Sequence, residues 1–140
     1  MKLFNASLVS ILALVLGISV AGCAQAAPVY ATGAEKDQVA SVVAPFARDI
    51  LDGMQQRSYA LFTRDFDAKM IQNFSPDALD TMLNTFMAYG KYQSSELMNV
   101  EIVDGYYRVN YKLTYTGKVL TMMVAIPKKG TPVVTGLSFK

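Results

Sequence analysis

The 140-residue chain contains no histidine and a single cysteine. Without histidine, Ser-His-Asp triads, Cys-His dyads and imidazole acid/base catalysis are unavailable. The same two shortages exclude a zinc site built from histidines or a cysteine cluster. One cysteine forms no internal disulfide, so the hydrophobic core has to hold the domain together unaided. Concentrated basic charge is lacking too. The 13 basic residues are scattered, Lys128-Lys129 is the only adjacent pair, and the formal net charge is +2. Nucleic acid is therefore not expected as a partner, because phosphate binding needs a clustered basic surface.

No cofactor or metal is implied either. The 8 methionines include one adjacent pair, Met122-Met123. Neighbouring residues on a strand point to opposite faces, so these two sulfurs do not chelate one ion. Met54, Met82, Met87 and Met98 read as gap-filling core.

What is present begins with an export device. Met1 to Asn5 carries one positive charge, at Lys2, and Ala6 to Val20 is an apolar run broken only by small Ser and Gly residues. Its length suits a signal-peptide core and is short for a spanning helix. Residues 1–22 are read as a signal peptide. Val20-Ala21-Gly22-Cys23 follows, and it resembles the bacterial lipobox: an aliphatic residue, two small residues, then cysteine. The resemblance implies that Cys23 is acylated, becomes the first mature residue, and anchors the chain to a membrane of the cell envelope. Ala24-Gln25-Ala26 offers the competing reading, ordinary cleavage before Ala27 and a secreted or periplasmic chain.

Residues 23–33 read as a tether and 34–140 as one domain. Thr32 and Glu35 have capping-box spacing. Val39, Val42, Val43, Phe46, Ile50, Leu51 and Met54 then recur at helical spacing, with Pro45 predicting a kink or a late helix start. Ser58 caps a short element in which Tyr59, Phe62 and Phe66 share a face. Ser75-Pro76-Asp77 opens a further helix, with Leu79, Met82, Leu83 and Phe86 as its buried stripe and Gly90 as its stop.

After Lys91 the apolar period changes to two. Leu97 to Val103 leads into Asp104-Gly105, a dipeptide suited to a type I′ hairpin. Tyr107, Val109, Tyr111, Leu113 and Tyr115 alternate with Arg108, Asn110, Lys112 and Thr114. Val119 to Ile126 is apolar on both faces, and Val133 to Phe139 makes the last strand. The expectation is α+β, with N-terminal helices packed on a curved four-stranded antiparallel meander.

This order of elements resembles the nuclear transport factor 2-like superfamily, and within it small exported domains of unknown function. The features that match are Arg57-Ser58-Tyr59, Phe62 with Asp65-Phe66-Asp67, the Ser75-Pro76 helix start, and Gly90-Lys91-Tyr92 at the entry to the sheet. The resemblance implies a cone of helices wrapped by a bent sheet, a homodimer through that sheet, and a pocket inside the cone.

Tyr59, Phe62, Asp65, Tyr107, Tyr111 and Tyr115 are the candidate pocket or interface residues. Tyr107, Tyr111 and Tyr115 have three readings: core with hydroxyls at the rim, the lining of a pocket for a small apolar ligand, or a dimer face. The leading expectation is a non-catalytic binding or interaction module for such a ligand or for an envelope protein. One alternative is a cofactor-free enzyme of the ketosteroid-isomerase type, using Asp65 or Asp67 as base with one of the tyrosines. Another is an inhibitor or assembly factor of an envelope enzyme.

Overall fold

A computed structural model describes residues 27–140. Cys23 and the export segment lie outside the described residues. The elements are β1 (Val29–Tyr30), α1 (Gly33–Gln56), α2 (Tyr59–Phe62), α3 (Ala68–Asn73), α4 (Pro76–Met87), β2 (Tyr92–Val103), β3 (Tyr106–Tyr115), β4 (Val119–Pro127) and β5 (Gly136–Phe139). The class is α+β, as the sequence predicts, but the antiparallel sheet has five strands in the order β1-β2-β3-β4-β5 rather than four. The extra strand comes from the stretch read as tether. Val29 pairs with Ile102 and Tyr30 with Glu101, so the chain is tied to the sheet edge before α1 begins. A two-residue strand carries too little periodicity to be seen in sequence.

The 24-residue α1 runs unbroken through Pro45, correcting the expected kink or late start. Pro45 and Ser41 are both exposed, so the Ser41 carbonyl freed by the missing N–H faces water. Val43 and Ala47, buried on either side, hold the helix to the sheet. The Thr32–Glu35 capping box does not form. Thr32 makes no side-chain cap, and the Glu35 carboxylate instead accepts from the Tyr107 hydroxyl at 2.7 Å. The other caps behave as their sequences predict: Ser58 accepts from the Leu61 N–H and Ser75 from the Ala78 N–H.

α1 packs across β2, β3 and β4. Its buried stripe, Val39, Val43, Ala47, Ile50, Leu51 and Met54, meets Val100, Val109, Leu113, Met122 and Val124 from the sheet. Each such aliphatic side chain contributes on the order of 1.5–3 kcal/mol when fully buried. Phe62, Phe66, Leu79 and Leu83 close the other side of this core. The short helices are laced to the sheet by a parallel bridge between Phe66 and Val134.

The β2–β3 turn has Asp104 at φ 48° and Gly105 at φ 83°, the pair of left-handed residues a type I′ turn needs. The domain therefore has two ends. One, the tether end, holds β1, the start of α1 and the Asp104-Gly105 turn. Its Lys128-Lys129-Gly130 turn is joined to the latter by the Lys128 N–H to the Gly105 carbonyl. The other, the cleft end, holds the C-terminus of α1, Lys91 and the Thr116-Gly117 turn, whose N–H groups bond the Lys91 and Tyr89 carbonyls. Among the described residues, no helix is long and apolar enough to cross a membrane.

Candidate functional site

Tyr107, Tyr111 and Tyr115 share the β3 face turned towards the helices, so they are not on the outer face of the sheet, where Tyr106 lies. They also fail to converge on one cavity. Tyr107 lies at the tether end beside Glu35, Val39, Val42 and Lys128. Its hydroxyl donates to Glu35, which holds the Glu35 carboxyl below its ordinary range and lifts the Tyr107 phenol above its own. Lys128 pairs with Glu35 at 3.4 Å and sits 5.3 Å from the Tyr107 ring centre. Tyr111 is buried against Ala47, Arg48, Leu51 and Asp52 of α1, and burial pushes its phenol up to about 12. Tyr115 is also buried and belongs to an aromatic cluster with Phe86, Tyr89 and Tyr92. Desolvation, and then the nearby Tyr92, raise its phenol.

Tyr59 and Phe62 are structural. The Tyr59 hydroxyl donates to the Phe74 carbonyl at 2.6 Å, tying α2 to the segment before α4. Phe62 is buried between Phe66 and Phe74, with ring centres 5.3 and 5.4 Å away.

The two carboxylates of the catalytic alternative point to different tasks. Asp67 caps α3, its Oδ1 accepting from the Met70 N–H at 2.7 Å. Asp65 sits between Arg64 and the buried Asp49 of α1. Arg64 bonds the Asp49 carboxylate, while its Nε stands 4.0 Å from Asp65 Oδ2. That oxygen is buried and accepts from no donor among the described residues. A proton on Asp65 lets it donate towards the neighbouring Asp49 carboxylate. Desolvation first, and then the Asp49 carboxylate, accordingly raise the Asp65 carboxyl above its ordinary value. Neither acid hydrogen-bonds a tyrosine among the described residues, and neither lines a depression that holds one of the candidate tyrosines.

One feature escapes the sequence pattern. Asn110 alternates with the apolar residues of β3 and reads as exposed, yet it is only 8% exposed. On the sheet face opposite the helices, its amide donates to Asn99 Oδ1 at 2.7 Å and Glu101 Oε1 at 3.0 Å. It lies in a row with Asn99, Met123 and Ser138 across four strands. A depression of about 270 Å³ over this row is walled by Met98, Arg108, Met123 and Lys140. Asparagine in the middle of a strand of tyrosines and valines was the available signal, since it disfavours strands.

The most apolar depression lies at the cleft end. It has a volume of about 210 Å³ and is lined by Met54, Leu83, Phe86, Met87, Tyr92 and Tyr115, with Arg57 at its edge. Arg57 adopts a left-handed conformation as the C-cap of α1, φ 52°, which turns its side chain towards α4. There it bonds Asp80 at 3.0 Å and Asn84 at 3.2 Å. Met87 is 70% exposed at the rim. Lys118 crosses the Tyr89 ring, 4.3 Å from its centre, on the same end of the domain.

No family model, curated protein or solved structure matches the chain.

Proposed function

We propose that this protein is an exported cell-envelope module, lipid-anchored through Cys23, that works by binding another protein at its cleft end. The observation that carries this reading is the cleft itself. Its walls are aromatic and thioether side chains, its one charged lining residue is already paired with Asp80, and a methionine stands out at the rim. Exposed methionine beside aromatic walls is the composition of adaptable protein-binding surfaces. The volume, about 210 Å³, falls under the roughly 300–1,000 Å³ of small-ligand pockets. It suits one or two apolar side chains of a partner better than a whole small molecule. Catalysis is the weaker reading. Tyr107, Tyr111 and Tyr115 open onto separate depressions, Asp67 is engaged by the α3 backbone, and Asp65 is paired with no tyrosine.

The test is cross-linking in the intact envelope of the producing cell, comparing the wild type with Met87→Asp. Lys91 and Lys118 at the cleft end provide native amine handles. The expected result is one protein joined through these lysines in the wild type and at least about tenfold less of it in the variant, the weight of one well-packed apolar anchor. Equal capture by both chains removes the cleft as the binding site. Native mass spectrometry supplies the second arm: a small adduct lost on denaturation turns the reading towards a ligand. Mass spectrometry of the membrane fraction checks the anchor, since a mature chain beginning at Ala27 overturns it.

A further inference from the structure

Two residues lie unusually deep on the sheet face opposite α1. Asn110 is 8% exposed, and so is Ala125, which stands across from Arg108 in the register. Around them the face carries long side chains, whereas Gly136 and Ser138, opposite Ala125 and Met123, are small. The result is a trough made of two depressions. One, about 270 Å³, lies over Asn99, Asn110 and Ser138. The other, about 320 Å³, lies over Ala125 and Gly136, with Tyr106 and Lys69 lining it. Arg108 and Met123 line both, so the two are continuous. Each depression alone is close to the roughly 300 Å³ at which small-ligand sites begin.

The polar groups of this trough are either held in place or left without protein partners. Asn110 donates to both Asn99 and Glu101, which orients those two side chains. Arg108 stands directly opposite Glu101, yet it forms no ion pair among the described residues. Lys140, in the first depression, and Lys69, in the second, form none either. The second acid of the trough, Asp67, is committed to capping α3. Ser138 Oγ is buried beneath the first depression with no hydrogen-bond partner among the described residues. A buried hydroxyl left unbonded is costly, so a bound oxygen that it reaches by rotation stabilises the site.

Each feature narrows the ligand. A free guanidinium takes a carboxylate through two parallel bonds. Oriented amide and carboxylate groups beside a hydroxyl both give and accept the bonds that ligand hydroxyls need. Tyr106, 43% exposed, offers an aromatic face on which the C–H side of a sugar ring stacks. A polar floor of this kind gives no purchase to a purely apolar molecule.

We infer that the outer sheet face is a binding site for a sugar acid. Arg108 takes the carboxylate, Asn99, Glu101 and Ser138 meet the hydroxyls, and Tyr106 packs on the ring. Lys69 and Lys140 are placed to meet the carboxylates of neighbouring units if the sugar belongs to a polymer. The site is on the far side of the sheet from α1 and depends on neither the cleft nor the Cys23 anchor.

The test is calorimetry on the mature full-length protein, purified from the envelope in detergent, with galacturonate, galactose and acetate as probes. The expected result is millimolar binding of galacturonate and at least about tenfold weaker binding of galactose and acetate, each of which keeps only part of the contacts. Arg108→Gln should bring galacturonate down to the level of galactose. Ser138→Ala should weaken it about threefold without lowering thermal stability, because the hydroxyl has no protein partner to lose. Met87→Asp, altered in the cleft, should bind galacturonate as the wild type does, so partner capture and sugar binding are separate results. Trigalacturonate binding more tightly than the monomer identifies a polymer as the natural source, and equal affinity identifies a free sugar acid. The site is overturned by absence of galacturonate binding, or by galactose or acetate binding equally well. Arg108→Gln or Ser138→Ala variants that bind like the wild type overturn it too.

Discussion

Gly53 and Phe62 approach so closely that a Cβ on Gly53 would stand 2.4 Å from the Phe62 amide nitrogen. The contact is backbone to backbone, sealed by the Ser58 N–H bonding the Gly53 carbonyl at 2.9 Å. It lets α2 fold back against the last turn of α1 and drives Phe62 into the core. Alanine normally gains about 1 kcal/mol over glycine inside a helix. Here the clash dominates, because neither backbone can yield without moving α2. Gly53→Ala is expected to lower stability by about 3 kcal/mol, read as a fall in the urea midpoint. An unchanged midpoint would show that α2 sits more loosely than this.

Asp65 predicts a pH dependence with a definite sign. Its folded-state carboxyl is raised above 3.8 by desolvation and by Asp49, so the native state holds the proton more tightly than the unfolded chain. That contribution is fully present below the unfolded value and is lost as pH rises through the raised one. The side-chain amide of an Asp65→Asn variant keeps a donor towards Asp49 at every pH. The variant should be more stable than wild type by about 1 kcal/mol at neutral pH, the scale of satisfying one buried acceptor. The difference should vanish near pH ~3, where the acid is protonated. Thermal unfolding at the two pH values checks this.

Tyr111 sets the alkaline side. Its phenol is pushed from 10.0 to about 12 by burial, so the native state again holds the proton more tightly. Stability from this group is intact below pH 10 and lost as pH rises towards 12. Tyr111→Phe should change the neutral melting point by no more than the equivalent of about 0.5 kcal/mol and move the onset of alkaline unfolding upward. Absorbance at the phenolate band during a pH titration gives both readouts.

Asn110 predicts an order among variants. Asn110→Ala removes two donors and leaves Asn99 and Glu101 facing each other, at a cost of about 1–2 kcal/mol. Asn110→Asp is expected to cost more, because it sets a carboxylate against the Glu101 carboxylate and an amide oxygen. Lowering the pH should restore part of the loss in Asn110→Asp and none in Asn110→Ala. Denaturant midpoints at neutral and acid pH distinguish the two.

The elements whose signal is local were legible in the residues alone. The 3.6-residue stripe of α1, the Ser58 and Ser75 caps, the Asp104-Gly105 turn and the alternation of β3 all reappear as structure. Each is governed by neighbours within about a turn of chain, so spacing and residue type suffice. The helices-then-strands order then implies the α+β class. What sequence could not show depends on residues distant in the chain. Pro45 passes inside α1 because solvent lies on its side and the core on the other. Glu35 leaves its capping role for Tyr107, a partner 72 residues away. Val29–Tyr30 becomes a strand only because the β2 edge is there to receive it. Tyr107, Tyr111 and Tyr115 share one strand face, as their spacing says. Only the path of α1 over the sheet decides that they open onto separate depressions, and that Tyr115 joins Phe86 and Met87 in a cleft. Local patterns report which face of an element is apolar; the packing of elements decides what that face meets.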